Sequence, residues 1–234
     1  IAHGSTYADA GAVAQDDIEG DISSSIVVTN PVNTSVLGQY VVRYNVTDAS
    51  GNIADEVVRI VNVTDQTKPQ ITLTGNATVN VTHNDAYTDA GATATDNVEG
   101  DISSKIVVTN PVNTSVVGQY IVRYNVTDEA GNVANEVTRT VNVVARMVSA
   151  IAVKGTGNAT AITVNHGTLQ MIAEVTPANA TNTSVTWSVN NGTCEATISA
   201  TGLLTAVKNG TVTVKATAND GSSIEGTLEI AIYN

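Results

Sequence analysis

The first part of this chain is repeated, without a gap, in the part that follows it. Residues 1–64 align with residues 81–144 at a constant offset of 80, and about two thirds of the aligned positions are identical. The eighteen residues from Glu19 onward return from Glu99 onward with a single change. Tandem copies of one small domain are typical of rods, stalks and adhesins, because each copy adds length and repeats the same surface. The repeat therefore favours a structural role over a catalytic one.

Each copy carries the sequence pattern of β-strands. Residues 40–47 alternate, so that Tyr40, Tyr44 and two valines fall on one face. The turn at 48–52, with Gly51 supplying a positive φ, joins this run to a second alternating run at 57–63. Tyr40 is placed to form the tyrosine corner of an immunoglobulin-like sandwich. Short strands with frequent turn signals and no helical periodicity predict a Greek-key sandwich.

Charge and apolar content exclude several classes of partner. The formal net charge is -12 with only 10 Lys and Arg residues, so no basic patch is available for nucleic acid or for an anionic membrane surface. No run of 18 apolar residues occurs, and we expect no membrane insertion by this segment. Cys194 is the single cysteine, which rules out an intrachain disulfide.

Ordered motifs in the second copy resemble a known family. They are K-P-Q-I-T-L-T-G at 68–75, Y-T-D-A-G-A at 87–92, D-N-V-E-G-D at 96–101, G-Q-Y at 118–120 and D-E-A-G-N at 128–132. Together they resemble the bacterial immunoglobulin-like domain first noted in a pesticidal crystal protein and related to hyalin repeats. The resemblance covers about 1–144. It implies an immunoglobulin-like fold at the bacterial surface and does not imply catalysis.

The remaining residues, 147–234, resemble a different family. The motifs are I-A-V at 151–153, T-P-A-N-A at 176–180, V-T-W-S-V at 185–189 and G-T-V-T-V-K-A at 210–216. These are similar to bacterial immunoglobulin-like group 2 domains, which occur in adhesins, surface-layer proteins and phage structural proteins. We expect Trp187 in the core of this module, with Val185 and Val189 on the same strand face.

The sequence therefore predicts an all-β protein made of three tandem immunoglobulin-like Greek-key β-sandwiches in an elongated rod. The predicted domains are 1–65, 66–145 and 146–234. The joints between them are short, which favours a nearly continuous rod.

The first copy lacks a counterpart of residues 67–80, which supply an opening strand to the second copy. A sandwich without that strand exposes a sheet edge and an apolar cleft, which invite a strand from elsewhere. Three explanations remain open. The chain is a piece of a longer array, a neighbouring subunit donates the strand and so builds a filament, or the first domain tolerates the truncation.

Sequons for N-glycosylation are more than twice as frequent as chance predicts from the Ser and Thr content. Asn45 and Asn125 lie on the strand face opposite the tyrosines, where a glycan would project into solvent. A Thr/Asn-rich β surface also produces sequons as a by-product. We expect glycosylation at several of the twelve sites, which are Asn33, Asn45, Asn62, Asn76, Asn80, Asn113, Asn125, Asn158, Asn179, Asn182, Asn191 and Asn209.

Two acidic loops are the best candidates for a metal, and calcium is the only cofactor for which the sequence offers a site. Carboxylates around a Gly turn supply oxygen ligands of the kind that calcium prefers, although the spacing differs from an EF-hand. A solvated turn capped by carboxylates is the alternative. The candidate ligands are Asp16, Glu19 and Asp21 in the first copy and Asp96, Glu99 and Asp101 in the second.

No catalytic motif, such as Gly-x-Ser-x-Gly or His-Glu-x-x-His, is present, and we expect no enzymatic activity. The predicted function is that of an extracellular, cell-surface structural repeat protein: a stalk, surface-layer element or filament subunit, which self-associates and carries N-linked glycans. The alternative is an adhesin or a carbohydrate-binding module of a larger surface protein.

Overall fold

The computed structural model describes residues 1–233, which form β-strands joined by turns and three short 3₁₀ turns at Ser23–Ser25, Ser103–Lys105 and Thr156–Asn158. By compactness the chain divides into two units. Unit 1 contains Ile1–Ala77, Asp89–Pro111 and Ile121–Thr140, and unit 2 contains Thr78–Thr88, Val112–Tyr120 and the chain from Val141 onward. The all-β class is confirmed. The predicted boundaries of three domains stay a prediction.

The first copy of the repeat, residues 1–64, is called repeat 1. Its strands are β1 (Gln15–Asp16), β2 (Gly20–Asp21), β3 (Val27–Thr29), β4 (Gly38–Asn45) and β5 (Val57–Val63). They form a two-stranded sheet, β1-β2, and a three-stranded antiparallel sheet, β3-β4-β5. Val42, Tyr44 and Val61 form its small core, as the alternation of apolar residues in these strands predicts.

The second copy together with its opening strand, residues 67–144, is called repeat 2. Its strands are β6 (Gln70–Leu73), β7 (Thr78–Thr82), β8 (Ala92–Asp96), β9 (Gly100–Asp101), β10 (Val107–Thr109), β11 (Gly118–Asn125) and β12 (Val137–Val144). The sheets have the orders β6-β8-β9 and β10-β11-β12-β7. Repeat 1 has no strand at the position of β7, where it has only an isolated bridge between Ala2 and Thr64. Strand β6 has no counterpart within residues 1–64. It pairs antiparallel with β8, with Ile71 opposite Ala94 and Leu73 opposite Ala92.

The third module is a sandwich of two four-stranded sheets. Its strands are β13 (Ala150–Gly155), β14 (Ala161–Ile162), β15 (Thr168–Thr176), β16 (Val185–Asn191), β17 (Ala196–Ile198), β18 (Leu203–Ala206), β19 (Gly210–Ala218) and β20 (Glu225–Ile232). The sheet orders are β13-β15-β18-β17 and β14-β20-β19-β16. Trp187, Val185 and Val189 share a face of β16, as predicted, but Trp187 is half-buried and packs against the core rather than inside it. Cys194 is a buried free thiol.

Two local features of the repeat were predicted from its sequence and are confirmed. The Tyr40 hydroxyl donates to the carbonyl of Val36 at 2.9 Å, and the Tyr120 hydroxyl donates to that of Val116 at the same distance. These are the contacts of a tyrosine corner. In the 48–52 turn, Gly51 has a φ of 89°, and the Asp48 carboxylate accepts a hydrogen bond from the Asn52 amide.

Candidate functional site: a strand groove and an acidic cluster

Repeat 1 has an open groove at the place where β6 covers repeat 2. Four apolar side chains that line this place in repeat 2 are buried, with exposed fractions of 1% for Ala94, 3% for Ile102, 2% for Val126 and 6% for Ala134. Their counterparts in repeat 1 are half-buried in three cases and exposed in the fourth: Ala14, Ile22, Val46 and Ala54. All four line a cavity of about 320 Å³. Residues 1–64 therefore leave open the place that β6 closes in repeat 2.

The backbone beside this groove is an unpaired strand edge. The Ala14 amide donates to Ser23 Oγ at 2.9 Å, and the Ala14 carbonyl accepts from Ile22 at 3.1 Å, so both groups of Ala14 face the β2 side. Because backbone groups alternate in direction along an antiparallel strand, those of Val13 and Gln15 face the opposite side, where β6 pairs with β8 in repeat 2. Without that partner, β1 is shortened to two residues.

The arginine that both repeats share shows the same difference between them. Arg139 is 1% exposed and donates hydrogen bonds to the carbonyls of Thr74 and Asn76, which follow β6. It also pairs with Asp89. Its counterpart Arg59 pairs with Asp9, but its side chain is 36% exposed. Repeat 1 thus holds an arginine whose counterpart in repeat 2 is bonded by the segment that follows β6.

The carboxylate beside Arg59 has an altered affinity for its proton. The Tyr44 hydroxyl donates to Asp9 Oδ1 at 2.5 Å. This hydrogen bond is the main cause of a lowered pKa of Asp9, with smaller contributions from Tyr7 and the Arg59 charge. Burial, followed by the bond to Asp9, raises the pKa of Tyr44 to about 12. Asp9 and Arg59 therefore form a structural ion pair next to Tyr44, which lines the cavity.

In repeat 1, all three predicted calcium ligands accept hydrogen bonds from backbone amides, locally for Asp16 and Asp21 and from a distant turn for Glu19. Asp16 Oδ1 accepts from the amides of Ile18 and Glu19 at 2.9 and 2.8 Å. Asp21 Oδ1 accepts from the Ser23 amide, and the Ser23 hydroxyl is the main cause of a lowered pKa of Asp21. Glu19 accepts from the amide of Ala49 at 2.8 Å. These contacts cap the turns, and the calcium prediction for the loop stays a prediction.

Repeat 2 holds two of its predicted ligands in the same way. Asp101 accepts from the amide and the hydroxyl of Ser103 at 2.9 and 2.5 Å. Glu99 accepts from the amide of Glu129 at 2.5 Å and pairs with Lys105. The third, Asp96, differs because it lies in a cluster of acidic side chains.

The acidic cluster consists of Asp65, Asp96 and Asp128, which come from three separate parts of the chain. One carboxylate oxygen from each lies within 4.8 Å of those from the other two. Asp65 follows β5, Asp96 ends β8 and Asp128 opens the turn after β11. Asp96 was predicted from the sequence as a ligand. Asp65 and Asp128 were missed, because nothing in their local sequence shows that the fold brings them together.

The sequon asparagines lie on the surface, with two exceptions. Asn45 and Asn125 are half-buried, and their Nδ2 atoms donate to Glu56 and Glu136 at 3.1 Å. A glycan at Nδ2 would compete with these hydrogen bonds. The other ten side chains are exposed: Asn33, Asn62, Asn76, Asn80, Asn113, Asn158, Asn179, Asn182, Asn191 and Asn209.

The strand pattern, the tyrosine corners and the paired sheets define a protein of tandem immunoglobulin-like β-sandwiches. Two protein families match the chain. The family described as "Bacterial surface protein, Ig-like domain" matches residues 1–63 and 71–143, and "Bacterial Ig-like domain (group 2)" matches residues 147–227. The chain belongs to the bacterial surface Ig-like family, with two such repeats followed by a group 2 domain. Both resemblances predicted from the sequence are confirmed.

Two curated proteins are similar to parts of the chain. The tail tube protein pb6 of Escherichia phage T5 is 52% identical over 87 residues, which is 36% of this chain and 18% of pb6. The pesticidal crystal protein Cry22Aa of Bacillus thuringiensis is 34% identical over 138 residues, 56% of this chain and 18% of Cry22Aa. The chain thus spans less than a fifth of each relative.

Similar solved structures are distant. The surface-layer protein SbsC, domains 1–6, has a TM-score of 0.33 and 16% identity, and the match covers 94% of this chain and 36% of SbsC. Human CDH23 EC21-23 has a TM-score of 0.38 and 15% identity over 94% of this chain and 85% of its own. Likeness at this level carries no inference about function. In the described part of the chain, no helix has the length and apolar character needed to cross a bilayer.

Proposed function

We propose that this chain is an extracellular structural repeat protein that self-associates by strand complementation, with no catalytic role. In this proposal a neighbouring copy places an extended strand in the groove of repeat 1. Two tandem copies of one sandwich, membership of a bacterial surface family and similarity to a tail tube protein support a role in a surface structure or filament.

The observation that carries the proposal is the difference between the repeats. Strand β6 gives repeat 2 a paired β8 edge and a buried Ile71, which is 8% exposed. Repeat 1 has the same fold with an open cleft and an unpaired edge. Strand addition at such an edge supplies main-chain hydrogen bonds for affinity, and side-chain pockets supply specificity. We therefore expect the strand that binds in the repeat 1 groove to resemble β6, with apolar side chains at the positions of Ile71 and Leu73.

A peptide of residues 67–77 of this chain tests the groove directly. Labelled with fluorescein and titrated with the full chain, it should show a saturable rise in anisotropy. The same peptide with Ile71→Asp and Leu73→Asp is the control and should bind at least tenfold more weakly, because its inward side chains become charged. Ala14→Arg in the chain should block binding, since Ala14 lines the cavity. Absence of saturable binding would refute the proposed groove function.

Light scattering of native material measures the mass of the assemblies and so tests whether a neighbouring copy donates the strand. If a neighbouring copy donates it, excess peptide should lower the mass of the assemblies toward that of single chains. Assemblies whose mass does not respond to the peptide would contradict assembly through this groove.

We also propose that several exposed sequons carry N-linked glycans on an extracellular surface. The ten exposed asparagines are the expected sites, and Asn45 and Asn125 are expected to be free because of their bonds to glutamate. Intact-mass spectrometry of native protein before and after glycan removal measures this. An unchanged mass would contradict the proposal.

Adhesion to a carbohydrate is the other function that the sequence left open. Sugar-binding surfaces usually present aromatic rings for stacking, whereas Tyr44 and Tyr124 are buried and Trp187 packs against a core. A structural role is therefore favoured. Selective binding on a glycan array would reverse this ranking.

A further inference from the structure

The three carboxylates of Asp65, Asp96 and Asp128 are buried close together without a basic partner. Their exposed fractions are 9%, 9% and 6%, and one oxygen of each lies within 4.8 Å of the others. In the described residues, no Lys, Arg or His nitrogen lies within salt-bridge distance of any of them. Like charges at this separation repel strongly in a buried environment. A bound cation would offset the repulsion between these carboxylates.

Asp96 supplies a second, independent sign of a ligand. Its Oδ1 atom accepts hydrogen bonds from the amides of Val98 and Glu99 at 2.8 and 3.1 Å. Its Oδ2 atom is buried and has no hydrogen-bond partner in the described part of the chain. Buried carboxylate oxygens are rarely left without a donor or a cation, because the loss of hydration is costly. Asp96 therefore has a free oxygen to offer within the cluster.

The neighbouring contacts hold the other two carboxylates in place. Asp128 accepts from the amide and the side chain of Asn132 at 2.7 and 2.8 Å. Burial opposes ionisation of Asp128, but these bonds and those from the turn amides lower its pKa overall. Asp65 accepts from the Thr67 amide at 3.0 Å, and its carbonyl accepts from Asn132. The cluster is thus fixed by hydrogen bonds that leave other carboxylate lone pairs available.

The donor set suits calcium. Calcium prefers six to eight oxygen ligands at about 2.4 Å, so oxygens on opposite sides of the ion lie about 4.8 Å apart. Three carboxylate oxygens that all lie within 4.8 Å of one another fit within such a sphere, and backbone carbonyls or water would supply the rest. There is no Cys or His in the cluster, which disfavours zinc.

We propose that Asp65, Asp96 and Asp128 form a calcium site that ties the segment after β5 to repeat 2. The site lies apart from the groove function and does not depend on it. Repeat 1 offers an internal comparison, since Asp16 and Asp48 are the counterparts of Asp96 and Asp128 and are only half-buried. The position equivalent to Asp65 would precede Ile1, so residues 1–64 contain two of the three positions. The structure therefore assigns the site at Asp65, Asp96 and Asp128 to repeat 2.

Nuclear magnetic resonance of the isotopically labelled full chain, titrated with Ca²⁺ to about 10 mM, tests the site at residue resolution. Amide shifts should concentrate at Asp65, Asp96, Asp128 and their neighbours, with saturation at one ion. Asp65→Asn and Asp128→Asn should each weaken binding at least tenfold. Asp48→Asn makes the same change in the matching turn of repeat 1 and should leave the affinity as in the wild type.

Several results would overturn the assignment. They are no saturable shift, equal affinity for Mg²⁺, shifts located elsewhere, or unchanged affinity in both Asp65→Asn and Asp128→Asn. Circular dichroism establishes that each variant is folded. Should Asp128→Asn unfold, Asp65→Asn decides the question, because Asp65 lies in a connecting segment rather than in the turn.

Discussion

The phenol of Tyr44 lies in the small core of repeat 1 and donates to the Asp9 carboxylate. Tyr40, on the same strand face, instead uses its hydroxyl for the corner contact to a backbone carbonyl. Two tyrosines of similar sequence context therefore have different roles. The roles differ because the fold places a carboxylate next to the Tyr44 hydroxyl and a backbone carbonyl next to the Tyr40 hydroxyl.

The raised pKa of Tyr44 gives a pH prediction with a defined sign. Because its folded pKa is about 12, above the ordinary value near 10, the folded state keeps this proton longer than the unfolded state does. Its contribution to stability is complete below about pH 10 and is lost as the pH rises toward 12. Absorbance at 295 nm, compared between wild type and Tyr44→Phe, should show one tyrosine titrating near pH 12. A difference curve centred near pH 10 would contradict this.

Gly202 is expected to resist substitution for two reasons. Its φ is 80°, and an added Cβ would lie 2.9 Å from Trp187 Cε2 and Nε1 and 3.1 Å from the Met171 carbonyl oxygen. Gly202→Ala should lower the free energy of unfolding by about 2 to 4 kcal/mol. Gly157→Ala is the control, since its φ is 67° but its Cβ would meet nothing within 4 Å, and it should cost about 1 kcal/mol. Urea unfolding of both variants measures the difference, and equal losses would refute the packing argument.

At the scale of elements, β6 is the piece that distinguishes a closed repeat from an open one. It pairs with β8, covers the groove residues and is followed by the carbonyls that cap Arg139. In repeat 1 the corresponding edge of β1 is unpaired, the groove is open and Arg59 is more exposed.

Residues 67–80, copied directly before Ile1, should close repeat 1. The aligned offset places this copy where β6 stands in repeat 2. Burial of its Ile71 and Leu73 equivalents should raise the free energy of unfolding of repeat 1 by about 2 kcal/mol or more. The same extension with both residues changed to Asp is the control and should give no gain. Thermal unfolding followed by circular dichroism measures the effect, and equal melting curves for both extensions would contradict it.

Several of the strands could be predicted from the sequence, whereas most of the acidic cluster could not. Alternating residues and the Asp48–Asn52 turn located β4 and β5, because strand period and turn chemistry are local properties. The repeat offset showed from sequence alone that residues 1–64 contain no counterpart of β6. Asp65, Asp96 and Asp128 lie far apart in sequence, and their proximity depends on the packing of three elements. Local carboxylate spacing drew attention to Glu99 and Asp101. The structure shows Asp101 bonded to Ser103 in its own turn, whereas Glu99 accepts from the Glu129 amide in the turn after β11.

At the scale of the molecule, the same sandwich is used twice and a related one follows it. Repetition alone adds length and surface, whereas the open groove gives the chain a place to accept another strand. The central claim is that repeat 1 is completed in this way in its native setting. A direct observation of the β1 edge decides it.

Hydrogen exchange of native, assembled protein measures that edge, with the isolated 234-residue chain as the reference. The amides of Val13 and Gln15 should be protected in the assembled protein and exchange rapidly in the isolated chain. Their counterparts Thr93 and Thr95, opposite β6, should be protected in both and serve as internal standards. Equally rapid exchange of Val13 and Gln15 in both samples would show that no strand occupies the groove and would contradict the account.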